Sequence, residues 1–163
     1  MELSFLAWTE EYAVGHKGLD AEHRQLAEAV NEICCTEHAE HTQDQLRPLL
    51  NALVFATVEH FKHENSVMRE FSLCATPSQK NHPVFHKAMS VAAINEHCAE
   101  HAQALLGLET IIRAFCSGTD SGQETLGQKL IDWFTEHAIN HDGDLKGVFQ
   151  DYFANAKGLK KSC

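Results

Sequence analysis

The chain has 163 residues, 44% of them hydrophobic, and a net charge of -10 with the histidines neutral. This length fits one domain with its own core, and the acidity argues against nucleic acid or an anionic membrane as a partner. No apolar stretch approaches the roughly 18 residues of a transmembrane helix, and we recognise no signal peptide. We therefore expect a cytoplasmic protein.

Two residue types that bind metals are frequent: the chain has 12 histidines and six cysteines. The cysteines lack the spacing of a metal finger, and the adjacent Cys34 and Cys35 make a poor disulfide framework. We expect all six to be buried or surface thiols in a reducing cytosol. They are Cys34, Cys35, Cys74, Cys98, Cys116 and Cys163.

Hydrophobic periodicity predicts helices throughout the chain, and no strand-like alternation competes with it. After an N-terminal arm with Trp8 and Tyr12, four apolar stripes follow the three- and four-residue steps of amphipathic helices. They run over residues 19–33, 46–68, 94–115 and 126–141. Four such helices with short links predict an all-α fold, an antiparallel up-down four-helix bundle.

Proline and glycine indicate where these helices begin and end. Pro48 is expected in the first turn of the second helix, where its missing N–H costs little. Gly118 follows the third stripe and Gly143 follows the fourth, which predicts two helix ends. Residues 75–83 contain two prolines and form a connection, while residues 144–156 are expected to form a short terminal helix.

Side chains that ligate metals lie inside the apolar stripes. His60 and Glu64 are four residues apart, so both project from one helix face, and His97 and His101 have the same spacing. Burying so many polar groups is costly unless something satisfies them, and bound metal would satisfy them together. The candidate ligands are His23, His60, Glu64, His97, His101, His137 and Asp142.

The spacing between His137 and Asp142 does not suit a straight α-helix. Five residues correspond to about 140° around the helix axis, so Asp142 would miss the site. We expect the helix to end at Gly143 and the chain to turn there, which would let the carboxylate swing inward.

Ligand counting predicts an open coordination position. If Glu64 and Asp142 bridge two metals together with a solvent oxygen, five histidines cannot divide evenly between them. One metal becomes six-coordinate, and the other keeps a vacancy where a small ligand can bind. Mixed imidazole and carboxylate ligands favour iron, with manganese or zinc as alternatives.

The same residues form four motifs in chain order. They are Asp20-Ala21-Glu22-His23, His60-Phe61-Lys62-His63-Glu64, His97-Cys98-Ala99-Glu100-His101, and Trp133-Phe134-Thr135-Glu136-His137 followed by Asp142. Together they resemble the hemerythrin family, particularly the bacterial hemerythrins, from about residue 8 to 153. The resemblance implies a di-iron domain over residues 1–156, leaving a basic tail at 157–163.

The resemblance also implies a role for each ligand. His97, His101 and His137 would hold the saturated iron, and His23 and His60 the iron that takes dioxygen. Both carboxylates and an oxo or hydroxo group would bridge the two iron ions. A dry pocket for dioxygen would be lined by Phe61, Trp133, Phe134 and Ile139.

One departure from the family is the distance from Glu64 to His97, 33 positions, which indicates an insertion at about residues 72–93. The insertion contains a rival pair, His82 and His86. We rank it lower because Pro83 disfavours helical geometry at residue 82. The insertion would cap the bundle, line a ligand route or make a contact with a second copy or a signalling partner.

The resemblance implies reversible dioxygen binding for storage, delivery or sensing. We expect binding rather than catalysis, because the inferred pocket is apolar and offers no clear general acid or base. The alternatives on the same scaffold are nitric oxide binding or detoxification and a di-iron oxidase or peroxidase.

Overall fold

The computed structural model describes residues 5–39, 42–119 and 124–152, with side chains up to residue 150. Within these ranges the chain forms helices and no strands, which confirms the predicted all-helical class. None of these helices is both long and apolar enough to cross a membrane. The α-helices are α1 (Lys17–His38), α2 (Gln43–Cys74), α3 (Pro77–Lys80), α4 (Pro83–Met89), α5 (Val91–Ser117), α6 (Leu126–Thr135) and α7 (Gly143–Lys146).

Three other helical segments complete the described chain. A 3₁₀ turn, Glu10–Tyr12, precedes α1, and the π-helices Glu136–His141 and Gly147–Tyr152 flank α7. The long helices form the bundle, because α1 packs against α2 and α6, and α5 packs against the same two helices. The fold is therefore the predicted four-helix bundle, with a π-helix extending α6. The predicted terminal helix is described only to residue 152.

The second helix begins earlier than predicted. The side chain of Gln45 accepts a hydrogen bond from the backbone N–H of Thr42 (2.9 Å), as the third residue of a capping box does. The helix therefore starts at Gln43, and Pro48 lies in its second turn rather than its first. The helix end predicted at Gly118 is confirmed, because Gly118 follows α5 with a left-handed φ of 65°.

Two groups of buried apolar side chains lie at different levels of the bundle. The long-helix cluster includes Leu26, Val30, Ile33, Leu50, Leu53, Leu108, Leu126, Leu130 and Phe134. The insertion cluster includes Val14, Leu19, Val67, Met68, Phe85, Met89, Ile94, Leu145, Val148 and Phe149. Each fully buried side chain of this kind contributes roughly 1.5–3 kcal/mol, so both clusters hold the helices together.

The insertion folds as short helices against one end of the bundle. The chain bends at Ser90, whose backbone is extended (φ −66°, ψ 155°) and whose hydroxyl accepts a hydrogen bond from the N–H of Ala93. This bend separates α4 from α5. Phe85 and Met89 of α4 are fully buried, so the insertion caps the bundle, one of its three predicted roles.

The cysteines only partly match the expectation of free thiols. Cys34, Cys35, Cys98 and Cys116 are free, and burial raises the pKa of the Cys34 thiol to about 11. Cys74, however, is disulfide-bonded, so the expectation is wrong for this residue. Cys163 and the predicted basic tail lie outside the described residues.

Candidate metal centre

All seven candidate ligands converge in one buried layer between the two apolar clusters. On α1, α2 and α5 the ligands separate the residues of one cluster from those of the other; on α1, for example, His23 lies between Leu19 and Leu26. We call this set the polar layer: His23, His60, Glu64, His97, His101, His137 and Asp142. Their exposed fractions range from 0% to 6%.

Glu64 stands between histidines of two helices. Its Oε1 accepts a hydrogen bond from His97 Nε2 (2.5 Å) and lies 3.5 Å from His101 Nε2. Its Oε2 faces His60 Nε2 at 3.3 Å on its own helix. Burial alone would raise the pKa of this carboxyl, but the neighbouring imidazoles of His101 and His97 outweigh it and hold the pKa well below its usual range. The carboxylate is therefore charged.

Asp142 makes the equivalent contacts from the opposite side of the layer. Its Oδ2 lies 3.2 Å from His23 Nε2 and 3.3 Å from His137 Nε2, while its Oδ1 faces His97 Nε2 at 3.5 Å. Each of the two carboxylates thus turns one oxygen toward His97 and the other toward a different histidine. Such an arrangement suits a pair of bridging ligands.

A π-helix brings Asp142 into the layer. The N–H of Asp142 donates to the carbonyl of His137 (3.3 Å), a bond between residues five apart. In π geometry such residues stack on one helix face, as residues four apart do in an α-helix. The expected helix end at Gly143 is therefore wrong: the helical path widens for one turn, and Gly143 begins α7.

Three of the histidines are held by hydrogen bonds on their outer nitrogen. His23 Nδ1 donates to the carbonyl of Tyr12 (2.7 Å), and His60 Nδ1 donates to Glu22 Oε2 (2.9 Å). His101 Nδ1 donates to Asn65 Oδ1 (3.2 Å). Because Nδ1 carries a proton in each of these rings, Nε2 is the nitrogen left to bind a metal, as in metal-binding histidines.

Sequence reasoning missed these outer partners. Glu22 directly precedes His23, and Asn65 directly follows Glu64, so both were visible as polar neighbours of candidate ligands. Nothing in the spacing showed that Glu22 reaches across to His60 on α2, or that Asn65 reaches His101 on α5. Those contacts depend on how the helices pack.

Burial and the neighbouring carboxylates shift the pKa values of three histidines in the layer. Burial alone would lower the pKa of His23, but the Asp142 carboxylate 3.2 Å away outweighs this and raises the pKa to about 8. Burial lowers the pKa of His137 to about 3, so this imidazole is neutral at pH 7. Burial opposes protonation of His97 too, but Glu64 overcomes it and raises that pKa.

The layer leaves buried polar atoms without hydrogen bonds. Among the described residues, six buried atoms of the layer have no hydrogen-bond partner, although several approach neighbours at 3.2–3.5 Å. They are Glu64 Oε2, His101 Nε2, both carboxylate oxygens of Asp142 and both ring nitrogens of His137. The Nε2 atoms of His23 and His60 lie 3.1 Å apart, a hydrogen bond in which one of the two carries the proton, and each would offer a lone pair once a bound cation displaced that proton. Bound cations would satisfy both the carboxylates and these lone pairs, so the donor set fits metal.

Comparison with known proteins agrees with this chemistry. A family model, the hemerythrin HHE cation-binding domain, matches residues 14–148. The chain belongs to this hemerythrin family. No curated protein and no solved structure gave a match. The resemblance predicted from the four motifs is thereby confirmed, and the buried layer is the part of this hemerythrin domain suited to a metal site.

The ligand atoms divide into two groups that share both carboxylates. One group contains His23, His60 and His137, and the other contains His97 and His101. The hemerythrin resemblance implied instead that His137 joins His97 and His101. Here His137 Nε2 and His23 Nε2 approach the same oxygen of Asp142, which draws His137 to the first group. Which cation His137 would bind stays a prediction.

The rival histidine pair lies outside the layer. His82 is the residue before α4, with the extended backbone (φ −71°, ψ 130°) that Pro83 favours, and it is exposed. His86 is exposed on α4. The structure therefore brings His97 and His101, and not the rival pair, to the other candidate ligands.

The four predicted pocket residues differ in position. Phe61 stacks on His101 with ring centroids 4.1 Å apart, and the ring of Phe134 lies 6.3 Å from that of His23. Trp133 donates its indole N–H to the carbonyl of Ala104 on α5, and Ile139 packs against the long-helix cluster. Phe61 and Phe134 border the polar layer, while the pocket role of the other two stays a prediction.

Proposed function

We propose that this hemerythrin domain binds dioxygen reversibly at two iron ions held by the polar layer, for storage, delivery or sensing of oxygen. The observation that supports it best is the position of the two buried carboxylates. Each carboxylate turns one oxygen toward His97 and the other toward another histidine, as two bridging ligands would. Imidazole and carboxylate together favour iron among the common metals.

The protein orients the histidines of the site through hydrogen bonds to their outer nitrogens. The carbonyl of Tyr12 and the side chains of Glu22 and Asn65 fix the ring orientations of His23, His60 and His101. When bound, two ferrous ions supply the electrons with which dioxygen is held reversibly. Outer partners of this kind also raise the basicity of the histidines toward the metal.

Exclusion of water favours reversible binding over turnover. Apolar clusters lie on both sides of the layer, and Phe61 and Phe134 border its histidines. The acids Glu22 and Glu100 face the outer Nδ1 edges of His60 and His97, so they are directed away from the centre. A site bordered by apolar clusters, with both of these acids directed outward, supports binding rather than catalysis.

The test is stopped-flow spectroscopy of the reduced, iron-loaded protein mixed with dioxygen. We expect a visible charge-transfer band that persists and disappears again when oxygen is removed. Steady consumption of oxygen with bleaching would favour the oxidase or peroxidase alternative. A protein that holds two iron ions and shows no band with oxygen would contradict the proposal.

A further inference from the structure

A solvent-facing cavity of about 200 Å³ lies beside the polar layer. Its walls come from α4, from the first half of α5 and from the chain around α7. One wall therefore belongs to the insertion that distinguishes this sequence. The residues that matter below are Lys87, Glu96, His97, Glu100, His141 and Asp144.

The imidazole of His97 separates this cavity from the polar layer. His97 lines the cavity and is the most exposed of the seven candidate ligands, at 6% against 3% or less for the others. Its Nε2 contacts Glu64 in the layer, and its Nδ1 lies 3.7 Å from Glu100 Oε2 on the cavity side. A cation arriving through this cavity would therefore meet His97 first among the seven.

The lining has the chemistry of a cation site. Glu100 Oε2 lies 3.4 Å from His141 Nδ1. Oxygen and nitrogen donors that bind at about 2.0–2.2 Å can share one ion at that separation. Glu96 and Asp144 add negative charge, and the cationic Lys87 is paired with Asp144 (2.5 Å). An acidic concave surface raises the local concentration of cations.

Behind His97, the polar layer contains two buried carboxylates that suit a cation. Glu64 Oε2 and both carboxylate oxygens of Asp142 are buried and have no hydrogen-bond partner in the part of the chain that the structure describes. Both side chains are 0% exposed, so a cation has to be delivered to them from a site that solvent reaches. The cavity meets the layer at its most exposed ligand.

We propose that this cavity is the entrance for ferrous ion, and that Glu100 and His141 hold the arriving ion before it passes His97 into the polar layer. The ion keeps its oxidation state on this route. The proposal rests on the iron centre proposed above, and it assigns the α4 segment of the insertion a role as one wall of the entrance.

The experiment mixes the metal-free full chain with ferrous ion alone, without oxygen, and stops uptake with a chelator at increasing times. Glu100→Gln and His141→Gln should each slow uptake by about tenfold, while the final content stays at two irons per chain. Glu109→Gln and His38→Gln, exposed positions away from the cavity, are matched controls and should load at the original rate.

Two results would overturn the entrance. Uptake by Glu100→Gln and His141→Gln at the unsubstituted rate would show that the ion takes another route. A lower final iron content in a variant whose circular dichroism is unchanged would place that residue in the centre itself.

Lys87→Ala provides an independent test, because removing this positive charge should accelerate uptake several-fold, and slower uptake would contradict the electrostatic argument.

Failure of the entrance and failure of the proposed function are distinguishable in the unsubstituted chain. Two bound irons without an oxygen-dependent band would contradict dioxygen binding and leave the comparison of uptake rates valid. An intact band with equal uptake rates in all variants would contradict the entrance alone.

Discussion

The long-helix cluster and the insertion cluster bury apolar side chains equally well, but they are assembled from different pieces of chain. The first is built mainly from continuous amphipathic helices, α1, α2, α5 and α6. The second draws on α4, on the ends of α1, α2 and α5, and on α7 with the π-helix that follows it. Regular helices thus provide one end of the bundle, and short segments close the other end.

Solvent reaches the polar layer at the insertion end of the bundle. The cavity beside His97 lies at the insertion end, where α4 and α7 are joined at the surface by the Lys87–Asp144 ion pair. Exposed pairs of this kind contribute little to stability, about 0–1 kcal/mol. We therefore expect the end made of short helices to open more readily than the end made of long helices.

The largest expected effect concerns the layer between the two ends. Glu64→Ala removes one of the two carboxylates positioned to bridge, so we expect loss of paired iron binding, from two ions per chain to at most one. Glu70→Ala, at an exposed position on the same helix, is the control and should retain both ions. Metal analysis of both proteins after identical loading measures this, and two ions retained in Glu64→Ala would contradict the bridging role.

The second prediction compares the two ends directly. Leu53→Ala in the long-helix cluster and Phe85→Ala in the insertion cluster each remove a fully buried side chain. Leu53→Ala should lower the free energy of unfolding of the whole domain by about 2–5 kcal/mol, because it leaves a cavity among continuous helices. Chemical denaturation of the metal-free protein measures this change.

Phe85→Ala should act mainly on its own end. Hydrogen exchange should accelerate in α4 far more than in α1, because short segments open locally at low cost. Mass spectrometry of deuterium uptake tests this. Equal acceleration in α1 and α4 would show that the two ends unfold as one unit.

The third prediction is a pH dependence within the polar layer of the metal-free chain. His137 has a pKa of about 3 in the fold, whereas the same imidazole titrates near 6.5 when unfolded. The unfolded chain therefore binds more protons between these values, and stability falls as the pH drops from 6.5 toward 3. This residue contributes a slope of at most about 1.4 kcal/mol per pH unit.

A variant separates this slope from that of other groups. His137→Gln removes the titrating ring, so its unfolding free energy should depend less on pH over this window than that of the original chain. Denaturant titrations at several pH values give both slopes. Identical slopes would mean that His137 is not held neutral by burial.

The smallest effect is expected at the start of α6, at the long-helix end. Glu37 of α1 accepts hydrogen bonds from the N–H groups of Leu126 (2.9 Å) and Gly127 (2.8 Å). Glu37→Ala leaves both without this acceptor and should cost about 0.5–2 kcal/mol, as the loss of a helix cap does. Thermal unfolding compared with Glu28→Ala, an exposed position on α1, measures it, and equal melting temperatures would refute the capping role.

The regular half of the molecule could be predicted well from the sequence. Apolar positions such as Leu26, Leu53 and Leu130 recur with helical spacing, and that spacing determines which face of a helix is buried. Ligand-type residues interrupt the same faces, so His60 with Glu64 and His97 with His101 could be identified as candidate ligands. Burial and helical phase are local properties, and the sequence contains them.

The contacts between elements could not be predicted in the same way. The π-helix before Asp142, the bend at Ser90, the hydrogen bond from His60 to Glu22 and the disulfide of Cys74 differ from or add to the predictions. Periodicity assumes a continuous α-helix, so it shows neither where the helix widens nor where it breaks.

The sequence by itself determined an all-helical chain with apolar stripes and seven ligand-type side chains placed on them. Only the tertiary structure decided that those side chains form one layer, that His137 groups with His23 and His60, and that the insertion provides one wall of a cavity beside His97. The reason is physical: a helix face follows from residue spacing, whereas the distance between two faces depends on how all the helices pack.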